Sequence, residues 1–126
     1  MKKVTTKNAP APAGHYSQGV VHSGLVFVSG QLAINPETRE PIVDSIEAQT
    51  EQALKNVEAV LLAANSDLNH VLRFTIYVSD QNLWSAVNAT YARILGEHKP
   101  ARAIIPVSKF RDEFLIEIDA IAAVKE

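Results

Sequence analysis

The sequence predicts an α+β domain in which one mixed β-sheet carries two helices on one face. Strand-like and helical segments follow in the order strand, hairpin, helix, strand, helix, hairpin. Strand–helix–strand crossovers bring parallel neighbours into a sheet and hairpins bring antiparallel ones, so the sheet should be mixed. Two crossovers of the same hand place both helices on one face. With 126 residues, 47% of them apolar, the chain is expected to form a single domain over residues 1–126.

The N-terminal part predicts a short strand, a loop and a hairpin. Residues 3–5 are expected to form the first strand, and residues 8–14, rich in Pro and Gly, form a loop. Gly19–His22 and residues 25–29 are strand-like, and Ser23-Gly24 between them is a turn signal. This arrangement is typical of an antiparallel hairpin.

A polar connection over residues 30–41 leads to the first helix. A connection of this length is either functional or a surface excursion, and the sequence leaves both open. Asp44, with Glu47 three residues later, forms a start like a capping box, so the helix is expected to begin near Asp44 and to end at residues 65–67. Mostly apolar residues recur at helical spacing and predict one buried face: Ile46, Thr50, Ala53, Leu54, Val57, Val60, Leu61 and Ala64.

The next unit is a strand followed by a second helix. Val71–Val78 is rich in β-branched and aromatic residues, which predicts a strand. Asp80 is a candidate cap for the helix, and Gly96 lies near the expected helix end. Its expected buried stripe comprises Trp84, Val87, Tyr91, Ile94 and Leu95.

Two closing strands, residues 101–105 and 115–123, are expected to pair as a hairpin. Arg102 and Ile104 share one face of the first strand. In the second strand, Leu115, Glu117, Asp119 and Ile121 share one face. A simple hairpin would place Arg102 opposite Glu117 or Asp119, and the register between the two acids stays open. Pro106 should end the strand, form a bulge or lie at a sheet edge.

Charges inside otherwise apolar strands need partners, water or a ligand. One interpretation is a structural ion pair or a hydrated strand face. The other is an arginine that binds a substrate carboxylate through two parallel hydrogen bonds, beside a carboxylate that works as a base.

Several strand segments, namely residues 25–28, 103–105 and 120–124, are apolar on both faces. With both helices on one side, the other side needs burial that this chain does not supply. This mismatch predicts an oligomer.

Composition excludes several classes of function. A net charge of −2 without a basic stripe argues against a nucleic-acid partner. The chain has no cysteine, and its four histidines show no ligand-like spacing, so we expect no metal site. No secretory signal and no apolar stretch of membrane-spanning length are present, so we expect a cytoplasmic protein without a membrane partner.

Several short motifs, each weak alone, occur here in an order and spacing that are specific together. They are Asn8-Ala9-Pro10, Tyr16-Ser17-Gln18-Gly19, Ser29-Gly30-Gln31, Val87-Asn88-Ala89-Thr90-Tyr91, Pro100-Ala101-Arg102 and Ile116-Glu117-Ile118-Asp119-Ala120-Ile121-Ala122. Over essentially its whole length the chain resembles the Rid (YjgF) family of reactive intermediate deaminases.

The resemblance implies a chorismate-mutase-like α+β fold assembled as a homotrimer, with ligand sites in clefts between subunits. It implies hydrolysis of reactive 2-enamino and 2-imino acids, of the 2-aminoacrylate or 2-iminobutanoate type, to 2-oxo acids and ammonia. It implies no cofactor. A ribonuclease role has been proposed for relatives, and the charge balance argues against it here.

Carried over position by position, the resemblance assigns Arg102 to the substrate carboxylate and Glu117 to the activation of water. Asp119 matches the second acid of the motif, which is not catalytic. Further positions that line the site or its apolar wall are Tyr16, Ser29, Gly30, Asn88 and Ile104.

The chain departs from the best-characterised branch of the family at His15, Ala103, Ile104 and Pro106. These differences leave the substrate and the subgroup open. One alternative is a non-catalytic module that binds 2-oxo acids or other metabolites and regulates a partner. Another is a deaminase of a different substrate, such as an aminomuconate-like acid.

Overall fold

The computed structural model describes residues 1–126 and places six strands in one sheet. In chain order the elements are β1 (Lys2–Val4), β2 (Gly19–His22), β3 (Leu25–Gln31), α1 (Ile46–Ala63), β4 (Val71–Val78), α2 (Trp84–Leu95), β5 (Ala101–Pro106) and β6 (Ile116–Ala123). The strand order across the sheet is β1-β2-β3-β6-β4-β5. All the predicted strands and helices form, with ends shifted by a few residues at most.

The prediction that the two closing strands pair with each other is wrong. β5 pairs in parallel with β4, whereas β6 lies antiparallel between β3 and β4. The α2 crossover makes β4 and β5 parallel neighbours, and the connection over residues 107–115 is long enough to carry the chain past β4. β5 therefore forms a sheet edge, where Pro106 is tolerated as expected.

Both helices begin differently from the expectation. Ser45, not Asp44, caps α1: its hydroxyl accepts the Ala48 N–H at 3.0 Å. Asp80 caps a short 3₁₀ turn, Gln81–Leu83, which precedes α2, and α2 itself has no side-chain cap. In both places the capping side chain is the residue whose backbone is extended immediately before the first turn.

The single hydrophobic core lies between the sheet and the two helices, which share one face as expected. Phe74 of β4 packs edge-to-face on Tyr91 of α2, with ring centres 5.4 Å apart. The largest fully buried side chains include Phe74, Phe114, Leu54, Leu61, Ile76, Ile116 and Ile118. Trp84, expected in this core, is instead 46% exposed at the first turn of α2.

The other face of the sheet has no helix on it. Phe27 of β3 is 42% exposed there and Ile105 of β5 is 39% exposed. On β6, burial alternates strictly, so Glu117, Asp119 and Ile121 point to this face. No helix in the fold combines the length and the apolar character needed to cross a membrane.

Buried polar side chains fix the loops that border the sheet. Gln18 donates through Nε2 to the carbonyl oxygens of Ala9 and Pro10, at 3.2 and 2.9 Å, and so ties down the N-terminal loop. Gln49 of α1 accepts the Leu115 N–H at 2.8 Å and donates to the Glu113 carbonyl at 3.2 Å. The chain segments that lead into β2 and β6 are thereby fixed by hydrogen bonds from buried side chains.

Candidate active site

Arg102 lies on β5 and points toward α2, because it is in register with Phe74, whose side chain enters the core. Its Nη1 donates to Asn88 Oδ1 at 2.9 Å. Its guanidinium carbon lies 4.8 Å from the centre of the Tyr91 ring and 5.7 Å from that of Trp84. Arg102 and Asn88, both candidate site residues, are therefore in contact within one chain.

The Arg102 side chain borders a cleft of about 400 Å³ between the end of α2 and the start of β5. The residues that line this cleft are Asn88, Tyr91, Ala92, Leu95, Gly96, His98, Lys99, Pro100 and Arg102. Arg102 is half-buried and makes no ion pair within the chain. A guanidinium has five donors, and the four that Asn88 leaves are sufficient for a bidentate carboxylate contact. Ile104 points to the same face but packs against the core and does not line the cleft.

Glu117 lies on the uncovered face of the sheet, opposite Tyr77 of β4. Its carboxylate packs against Gly30, where β3 bulges between Val28 and Gln31. A Cβ atom at Gly30 would lie 2.7 Å from Glu117 Oε2, so only glycine leaves room for the carboxylate in this position. Gly30 and Glu117, both candidate site residues, thus also lie side by side within one chain.

The electrostatic surroundings of Glu117 favour its protonated form. Burial raises the pKa of the Glu117 carboxyl, the nearby charge of Asp119 raises this pKa further, and the Arg111 guanidinium opposes the rise. Asp119 itself accepts a hydrogen bond from the Tyr77 hydroxyl at 3.1 Å. A carboxylate with a raised pKa is suited to general-base chemistry near neutral pH.

Ser29 connects the N-terminal loop to the Glu117 region. Its hydroxyl donates to the Ser17 carbonyl at 2.6 Å, and its N–H donates to the Gln18 carbonyl at 3.0 Å. Tyr16, which directly precedes Ser17, is half exposed and accepts the Ala13 N–H at 3.3 Å. The loop that carries Tyr16 is therefore anchored to the strand that carries Gly30.

One chain does not bring Arg102 and Glu117 together, and the expected placement of Arg102 opposite a carboxylate is wrong. Phe74 pairs with both Arg102 and Ala120, so Arg102 lies level with Ala120 and not with Glu117. The two positions are separated by roughly 10 Å along the strands and roughly 10 Å across them. Their side chains also leave opposite faces of the sheet. The chain carries two half-sites: an arginine half on the helix face and a glutamate half on the uncovered face.

The aromatic surroundings of Arg102 were not predicted from the sequence. Tyr91 lies in the core as predicted, whereas Trp84 does not, and both rings also face the Arg102 guanidinium. Asn88 falls between them at helical spacing, and a polar residue within an apolar stripe is the signal that could have indicated a shared ligand. No local sequence signal indicates that the Arg111 charge lowers the pKa of Glu117, because their proximity depends on the path of the loop before β6.

The chain is similar to known proteins over nearly its whole length. A family model described as Endoribonuclease L-PSP matches residues 6–124. A RutC family protein of Pyrococcus horikoshii is 44% identical over 123 residues, covering 97% of this chain and 98% of that protein. A 2-iminobutanoate/2-iminopropanoate deaminase of Escherichia coli is 40% identical over 124 residues, covering 96% of each chain. A Lactococcus lactis relative that carries a regulator's name, AldR, is 41% identical over 125 residues, covering 99% of each.

Solved structures agree with the fold over the whole chain. The YjgF gene product of E. coli has a TM-score of 0.93 at 38% identity, covering 99% of this chain and 100% of that one. E. coli TdcF with bound serine has a TM-score of 0.93 at 30% identity, with the same coverage.

One mixed sheet with both helices on one face defines an α+β domain of the type seen in YjgF structures. The family match covers nearly the entire chain, and relatives at about 40% identity align from end to end. The chain belongs to the YjgF/Rid family.

Proposed function

We propose that the chain is a hydrolytic deaminase of small 2-enamino and 2-imino acids, which it converts to 2-oxo acids and ammonia. The observation that carries the proposal is the half-buried Arg102, which has no acidic partner in the chain and borders a cleft. A charge in such a position is suited to a ligand of opposite charge. The deaminase relative from E. coli supports the substrate class.

In the proposed mechanism, Arg102 holds the substrate carboxylate and the enamine tautomerises to the imine. Glu117 accepts a proton from a water molecule as the water oxygen adds to the imine carbon. Protonated Glu117 returns its proton to the nitrogen, which gives the carbinolamine. The carbinol hydroxyl then gives up the second water proton to the nitrogen, the C–N bond breaks with release of ammonia, and the carbinol oxygen becomes the carbonyl of the 2-oxo acid. Placing water and imine in contact supplies much of the rate gain, and no cofactor is required.

The two half-sites must come from different copies of the chain for this mechanism to operate. We propose a homotrimer in which the arginine half of one subunit and the glutamate half of its neighbour form each cleft. The uncovered sheet face, with Phe27 and Ile105 exposed, supports contact between copies. Tyr16, Ser29 and Gly30 are proposed to line the glutamate side of the cleft, and Asn88 the arginine side.

The proposal is tested by ammonia release from freshly generated 2-aminoacrylate. The wild-type chain should exceed the uncatalysed rate, and Arg102→Ala should raise KM by about ten- to a hundred-fold, because charge-assisted hydrogen bonds to the carboxylate are lost. Arg93→Ala is the matched control, since Arg93 is an exposed arginine of α2 that pairs with Glu51 at 3.2 Å. A wild-type rate no greater than the uncatalysed rate would exclude the deaminase.

A second candidate function is a regulatory module that binds small 2-oxo acids or other metabolites without turnover. The Lactococcus relative named for a regulator favours it, and the TdcF structure with serine shows that a relative holds a small amino acid. This function would be supported if calorimetry shows that 2-oxobutanoate binds and no imine releases ammonia above the uncatalysed rate. A panel that includes aminomuconate-like acids would identify a deaminase of another substrate. We place either activity in the cytoplasm, with no nucleic-acid partner.

Removing the Asp119 charge should move the pH profile of the deaminase. Because Asp119 raises the pKa of Glu117, Asp119→Asn should lower that pKa. Glu117 must be ionised to act as a base, so the acidic limb of kcat/KM should shift to lower pH, measured as ammonia release across pH 4–8. A shift to higher pH, or none, would contradict the role of Glu117 as the base.

A further inference from the structure

Trp84 is a large aromatic residue at the start of α2 whose ring is not part of the core. It is 46% exposed, and its ring faces the Arg102 guanidinium at 5.7 Å. Tyr91 faces the same guanidinium at 4.8 Å, and Asn88 accepts its hydrogen bond at 2.9 Å. Positions 84, 88 and 91 lie on one face of the helix, so three side chains spaced about one turn apart contact the same cation.

This arrangement restricts the Arg102 side chain without neutralising it. Aromatic ring faces attract a guanidinium and limit its rotation, yet they present no acceptor that competes with a carboxylate. Asn88 engages only Nη1. A free arginine side chain loses much rotamer freedom when it binds a ligand, and a side chain that is already ordered loses less.

We infer that Trp84 and Tyr91 form an aromatic clamp that positions Arg102 for bidentate carboxylate binding. The inference rests on the proposed role of Arg102 as the receptor for the substrate carboxylate. Both aromatic residues are positioning residues, because they act through Arg102. Asn88 fixes the rotation of the guanidinium between them.

Trp84 is the residue that tests the clamp without damage to the core. Tyr91 is 6% exposed and packs on Phe74, so removing its ring would also disturb the fold. Trp84→Leu removes the aromatic face and keeps an apolar side chain, and Trp84→Phe restores a smaller aromatic face. Leu62→Ala is the control, since Leu62 is an apolar residue of α1 that is 58% exposed.

The experiment combines NMR of the Arg102 Nε–Hε group, assigned by its absence in Arg102→Lys, with steady-state deamination. Wild type should show an upfield ring-current shift and restricted motion of this group. In Trp84→Leu the shift should decrease and the motion increase, and KM should rise about three- to ten-fold with kcat within two-fold of wild type. Trp84→Phe should recover much of both changes, and Leu62→Ala should match wild type.

An Arg102 signal and a KM that are unchanged in Trp84→Leu would overturn the clamp while leaving the deaminase proposal intact. If the wild-type chain neither turns over imines nor binds 2-oxo acids, the proposed function fails. The NMR comparison then decides by itself whether Trp84 orients Arg102.

Discussion

Mixing two variants of this chain that are each nearly inactive at substrate concentrations below the wild-type KM should restore activity. Glu117→Gln alone should lower kcat by about 10²- to 10⁴-fold, because the water loses its general base. Arg102→Ala alone lacks the carboxylate receptor. After co-refolding at equal amounts, random homotrimers with shared clefts should recover about a quarter of the wild-type rate, since one cleft in four combines an intact Arg102 with an intact Glu117.

The control for this experiment is wild type co-refolded with the Arg102→Ala/Glu117→Gln double variant. Clefts shared between subunits again give about a quarter of the wild-type rate, whereas sites within one subunit would give about a half. If the two single variants recover nothing on mixing, the half-sites do not combine between copies. Glu117→Gln is expected to fold: because burial raises the pKa of the Glu117 carboxyl, its ionisation at neutral pH opposes folding, and glutamine removes that cost. Urea unfolding of this variant checks the expectation.

Gly30→Ala should lower kcat by about a hundred-fold while changing stability little. The new methyl group would fall 2.7 Å from Glu117 Oε2 and 2.9 Å from its carboxyl carbon, so the carboxylate must turn away from its present position. Displacing a catalytic group by about 1 Å costs rate on this scale. The measurement is kcat for imine hydrolysis beside the free energy of unfolding in urea.

Gly19→Ala is the matched comparison, because its overlap falls on the core. A Cβ at Gly19 would lie 2.9 Å from Val60 Cγ1 and 3.2 Å from the Phe27 carbonyl oxygen. This variant should lose about 1–3 kcal/mol of stability and keep the kcat of the folded fraction. If Gly30→Ala instead loses stability and keeps its kcat, as expected for Gly19→Ala, the proposal that Gly30 makes room for the Glu117 carboxylate is wrong.

Local patterns in the sequence were sufficient for the elements but not for the strand order. Val71–Val78 and Gly19–His22 were predicted with their final bounds, because β-branched content and turn residues are local signals. The insertion of β6 between β3 and β4 was not predicted. Strand partners depend on the packing of the whole sheet. The alternating pattern of β6 shows that one face is buried, but this pattern would be the same beside any partner strand.

The candidate site was predicted as a set of residues but not as a geometry. Within one chain Arg102 contacts Asn88, and Glu117 lies against Gly30, but the sequence did not indicate which members of the set would be neighbours. The relation between the two groups was misjudged because it followed from the wrong strand order. Trp84 was assigned to the core because hydrophobic periodicity does not distinguish a ring that meets a cation from a ring that meets other apolar groups.

The central position of β6 has a consequence for the folding of the chain. The strand that joins the two halves of the sheet is the last of the six strands in chain order. Until β6 is in place, β3 and β4 each present an unpaired edge, and the apolar residues of α1 lack one of the strands against which they pack. Completion of the sheet therefore depends on long-range pairing, and the open edges of β3 and β4 are sites of intermolecular pairing until β6 fills the gap between them.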